Sequence, residues 1–125
     1  MQTSTCRWTA ETGWEIPAEH SGEPGLVLYF GAPSLMDGDA LPVRELAARF
    51  PDAVVCGCST AGEILGDRVY DDSVVAALVW FQSTRVRAVA EPIANNTEST
   101  AVGHRAAAHH LCPHRRGRDR RHHHL

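Results

Sequence analysis

The sequence predicts an α/β fold with a partly parallel sheet, built on a strand–helix–strand unit and completed by a hairpin and flanking helices. Three observations predict it. Two short apolar runs, "GLVLYF" (residues 25–30) and "DAVVCGC" (52–58), flank a segment, "LPVRELAARF" (41–50), whose apolar residues recur at helical spacing. A third apolar run, "SVVAALVWF" (73–81), follows after a loop. The length, 125 residues with 43% apolar content, suits one domain or part of one and excludes a collagen-like or wholly disordered chain.

Each element has its own signal. Residues 1–24 are polar and punctuated by Pro17, Gly22 and Pro24, so they read as an N-terminal arm that Trp8 and Trp14 pack onto the body. The run at 25–30 is unbroken by polar residues, which predicts a strand buried on both faces. The helix over 41–50 places Val43, Leu46, Ala47 and Phe50 on one face, with Asp39 as the expected N-cap, Pro42 in the first turn and Pro51 as the stop. Together with the strand at 52–58 it has the size of a parallel crossover. After the run at 73–81, "QSTR" turns into "VRAVAEPI" (86–93), whose alternation predicts a half-exposed strand paired in a hairpin. A last helix follows, capped by Asn95 with Glu98 three residues on, its apolar face made mostly of alanines.

Charge divides the chain. Residues 1–111 carry seven Arg against fourteen Asp and Glu, whereas residues 112–125, "CPHRRGRDRRHHHL", carry five Arg against one Asp. The acidic body offers no footprint for nucleic acid. The tail reads either as a disordered basic segment or as an out-of-frame or prematurely stopped replacement of a lost continuation. The preceding helix has no Gly cap and few large apolar residues, which favours the second reading and an incomplete domain. No window is apolar enough for a membrane span, and the N-terminus lacks the basic and apolar regions of a signal peptide. The cytoplasm is then the expected compartment, with Cys6, Cys56, Cys58 and Cys112 as reduced thiols.

The chemistry concentrates in the loop Gly57, Cys58, Ser59, Thr60, Ala61, Gly62, Glu63. A phosphate loop would need Lys and Ser or Thr after Gly62, and Glu63 and Ile64 stand there instead. A hydrolase elbow needs its second glycine one residue earlier, and neither His20 nor His104 is spaced to serve Ser59. Cys56 and Cys58 would share one strand face, but a zinc site would need further ligands from Cys112, His114 or the 122–124 run; buried free cysteine is the plainer reading. His109, His110 and the terminal histidines would bind stray metal weakly, and Cys112-Pro113 is too short a motif to assign haem. Two readings stay open. The loop lines a small-molecule pocket at a strand's carboxyl end, with hydroxyls and Glu63 as partners. Otherwise its glycines serve only the turn, and Glu63 is solvated.

The ordered run "PDAVVCGCSTAGEI" followed by "VYDDSVVAALVWFQSTRVRAVAEPI" resembles the N-terminal region of the FIST domain, a bacterial sensory module. The likeness covers residues 25–111, with "GLVLYFGAP" as the opening strand, and departs from the family in the tail. It implies a non-enzymatic, cytoplasmic domain binding a small molecule, with amino acids proposed, at Gly57 to Glu63. Its partners would be histidine kinases, cyclic-dinucleotide enzymes or chemotaxis transducers. Some relatives bind haem and sense nitric oxide through a histidine; that role does not transfer to His104, His109 or His110. An enzyme using Cys58 or Ser59 as nucleophile is the competing class, and a haem-binding fragment the third.

Overall fold

A computed structural model describes residues 1–18 and 22–111. Its elements in order are β1 (Gln2–Thr9), β2 (Gly13–Trp14), β3 (Leu26–Gly31), α1 (Pro33–Met36), α2 (Leu41–Arg49), β4 (Val54–Ser59), β5 (Glu63–Leu65), β6 (Arg68–Tyr70), β7 (Val74–Trp80), a 3-10 turn (Asn96–Glu98) and α3 (Ser99–Leu111). Five strands form one sheet in the order β2-β1-β7-β3-β4, while β5 and β6 pair separately as an antiparallel hairpin. Among the described residues only β3 and β4 are parallel, with Tyr29 beside Gly57 and Gly31 beside Ser59. The fold is thus mixed α/β, as the sequence predicts, with the parallel pair linked through α1 and α2.

Strand alternation sends Val27, Tyr29, Ala76, Leu78 and Cys6 to one face of the sheet. There they meet α2, and Cys6, Val27, Leu46, Phe50, Ala76 and Leu78 form the buried core. Leu46 is fully buried and Leu78 is 1% exposed; burial of such a side chain is worth roughly 1.5–3 kcal/mol. Helix α2 ends where Pro51 demands, with Phe50 as its C-cap.

Four expectations are corrected. Residues 1–24 are not an arm: β1 pairs with β7 over seven positions, from Gln2–Trp80 to Trp8–Val74. The tryptophans do pack as expected, Trp8 Nε1 donating to Glu45 Oε2 at 3.1 Å and Trp14 Nε1 to the Pro42 carbonyl at 2.8 Å, which ties this hairpin to α2. No strand forms over residues 86–93, because β1 and β3 already occupy both edges of β7; the hairpins among the described residues are β1–β2 and β5–β6 instead. β3 is not buried on both faces, since Phe30 remains 40% exposed opposite the core. Finally, Asp39 does not cap α2. Ala40 takes the cap position with a left-handed φ of 43°, and Asp39 Oδ2 instead accepts from Arg44 Nη2 at 2.7 Å.

Residues Met1–Ala88 make one compact unit, and the chain from Val89 onward makes another. In the second, Asn95 Oδ1 accepts from the Thr97 amide at 3.0 Å and Glu98 Oε2 from the Ala94 amide at 3.4 Å. Glu91 faces Arg105 Nε at 3.6 Å and His109 Nε2 at 2.7 Å, bracing α3 against its own approach segment. The tail reading, residues 112–125, falls outside the described residues.

Candidate functional site

Parallel pairing brings the carboxyl ends of β3 and β4 together, and the turn over residues 60–62 leaves the sheet there. The Thr60 amide donates to the Gly31 carbonyl at 2.8 Å, and the Ala32 amide to the Ser73 carbonyl at 3.0 Å, so turn, β3 and the start of β7 are laced together. Beneath them lies Glu63, 1% exposed. Its Oε1 accepts from Thr60 Oγ1 at 3.0 Å and its Oε2 from Ser73 Oγ at 3.1 Å. A buried carboxylate is tolerated because both oxygens are occupied. Glu63 is therefore neither solvated nor turned outward; it braces the turn.

The seven residues do not converge on one spot. Gly57 and Ser59 lie in register with Tyr29 and Gly31, on the helix-covered side. Cys58, in register with Phe30, lies on the other side. Cys58, Ser59 and Ala61 are exposed, whereas Thr60 and Gly62 are half-buried. Gly57 has its own structural reason: a Cβ there would stand 2.0 Å from the Tyr29 carbonyl oxygen and 2.6 Å from its ring. What approaches this glycine is the protein's own tyrosine. Beside Gly62, the Asp71 carboxylate reaches within 3.8 Å of where a Cβ would stand. Asp71 and Ser73 stand in the run that carries the family resemblance but are not predicted as site residues; the buried Ser73–Glu63 bond joins residues ten apart, too far in sequence for a local signal.

The competing chemistries turn on histidines and on converging ligands. The one histidine of this unit's sequence, His20, lies outside the described residues. Among the described residues no three His, Cys, Asp or Glu side chains converge as a metal site. His104 is exposed on α3, and His109 is engaged by Glu91. A cavity of about 280 Å³ lies at the far end of the sheet, lined by Met1, Gln2, Trp80, Phe81 and Gln82, and includes neither the turn nor a histidine. No helix among the described residues is long and apolar enough to cross a membrane.

No curated protein and no solved structure matches the chain. A family model, the FIST N domain, does match, over residues 25–124. The span takes in β3, the crossover, the turn at 60–62 and β7; it leaves β1 and β2 outside and runs past residue 111 into the basic tail. With four-fifths of its length matched, from the opening parallel strand onward, the chain belongs to the FIST N domain family, a family of sensory domains in signal transduction.

Proposed function

We propose that the chain is a non-enzymatic, cytoplasmic sensor that binds an amino acid at the turn following β4. The carrying observation is the bracing of this turn from below. Glu63 is buried and bonded to Thr60 and Ser73, so the outer residues Ser59 and Ala61 are held in place while exposed. Preorganisation of that kind lowers the cost of ordering a loop on binding. The position also fits, since open α/β sheets take ligands beyond the carboxyl ends of their strands. The chemistry suits a zwitterion. The Asp71 carboxylate beside Gly62 can accept from an ammonium group, and the Ser59 hydroxyl with the amides of Ala61 and Gly62 can donate to a carboxylate.

Of the residues from Gly57 to Glu63, Ser59, Ala61 and Gly62 touch the ligand in this reading. Thr60 and Glu63 hold the turn, Gly57 receives Tyr29, and Cys58 faces away. The signal passes to a kinase or a cyclic-dinucleotide enzyme. The test is calorimetric titration of the intact chain with the standard amino acids, alongside Ala61→Trp and Asp71→Asn. At least one amino acid should bind the parent chain, and both variants should weaken it at least about tenfold, the scale of a lost charge-assisted hydrogen bond. Absence of heat with every amino acid, or binding unaltered in Ala61→Trp, overturns the proposal.

A further inference from the structure

Cys56 and Cys58 stand two apart on β4, separated by Gly57, and so project from the same face of the sheet. That face is opposite the α2 core, and their register partners on it are Leu28 and Phe30. Both are free thiols, Cys56 half-buried and Cys58 exposed. β4 is the last strand of its sheet, with a neighbour only on the β3 side among the described residues. Two strand residues on one face sit about 6.6 Å apart along the chain. Two metal–sulfur bonds of about 2.3 Å opposed across an ion span about 4.6 Å, which a modest inward lean of two such side chains supplies. A disulfide is less well served, since its Cα atoms prefer a mode of about 5.5–6 Å, shorter than the extended strand gives.

The number of ligands decides which ion. Zinc takes four, and no third His, Cys, Asp or Glu converges here among the described residues. Soft thiolates select Cu(I), an ion content with two.

We propose that Cys56 and Cys58 form a two-thiolate site for a soft, two-coordinate cation, Cu(I). Binding forms two copper–sulfur bonds and releases one proton from each thiol, with no change in oxidation state. The site does not depend on amino-acid sensing, because it lies on the face away from Ser59; Cys56→Ser should leave amino-acid titrations unchanged. The experiment is anaerobic titration of the full chain with Cu(I) against a competing chelator, read by the thiolate-to-copper charge-transfer band. One ion per chain is expected. Cys56→Ser and Cys58→Ser should each weaken it about 100-fold or more, the gain that a second linked ligand brings. Cys112→Ser and alanine replacement of His122, His123 and His124 should leave it intact. Alkylation of the parent chain supplies a readout without substitutions, Cu(I) protecting Cys56 and Cys58 together. Parent-like affinity in either serine variant, loss in Cys112→Ser, or protection of neither thiol overturns the site.

Discussion

Gly57 is where a single atom has the largest consequence. Its missing Cβ leaves room for the Tyr29 carbonyl and ring, so Gly57→Ala forces β3 and β4 apart at a backbone contact. A loss of about 1–3 kcal/mol is expected, the usual cost of overpacking. Because the nearest atom is backbone, adding Tyr29→Ala should not restore it; urea denaturation of both variants checks this, and full rescue would show that only the ring mattered. Glu63→Ala removes the acceptor of two hydroxyls, one of them on the buried Ser73, and should cost roughly 2–4 kcal/mol. The same denaturation series reads it, and a loss near zero would show the brace to be dispensable. Cys6 supplies the pH dependence. Burial pushes its thiol from 9.0 up to about 11. Above pH 9 the unfolded thiol ionises while the folded one keeps its proton, so the unfolded chain binds fewer protons. This contribution to stability is therefore complete below pH 9 and lost as pH rises towards about 11. Tyr29, also raised, acts in the same direction. Cys6→Ala should flatten the alkaline decline without abolishing it; an identical decline in that variant would remove Cys6 from the account.

Among the elements, β1 shows what a strand can contribute without an apolar run. "QTSTCRWT" has only Cys6 and Trp8 buried, yet it covers the β7 edge that β3 leaves free. Its partner β2 carries Trp14, whose indole holds the Pro42 carbonyl in the first turn of α2. Deleting residues 1–16 exposes that edge and removes Cys6, Trp8 and Trp14 from the core and its border. The shortened chain should lose cooperative thermal unfolding by circular dichroism, although the family match begins only at residue 25. A cooperative melt in that variant would mean that β1 decorates the sheet and does not complete it.

At the scale of the molecule, the turn after β4 depends on β3, β4, β5 and β7 at once, through the Gly31, Thr60, Glu63 and Ser73 bonds. A ligand seated there stabilises the whole first unit and not a single loop. At a hundredfold excess over its dissociation constant the gain is about 2.7 kcal/mol. An amino acid that binds by calorimetry should therefore also raise the melting temperature, and Asp71→Asn should reduce that rise. Binding without any rise would place the ligand on a segment uncoupled from the sheet.

The sequence by itself determined the parallel pair, the helix between them and the turn that carries the family motif. Those features rest on local signals: apolar runs, a 3.6-residue period, and prolines and glycines at the boundaries. Asn95 was legible for the same reason, since a cap acts within three residues. Only the tertiary structure decided which strands neighbour β7. Residues 86–93 alternate well enough to pair, but pairing is a contest for edges, and β1 and β3 hold both. The direction of Glu63 was settled in the same way. A carboxylate at a turn is solvated unless partners come from elsewhere, and here one of them, the Ser73 hydroxyl, arrives with another strand's approach ten residues on.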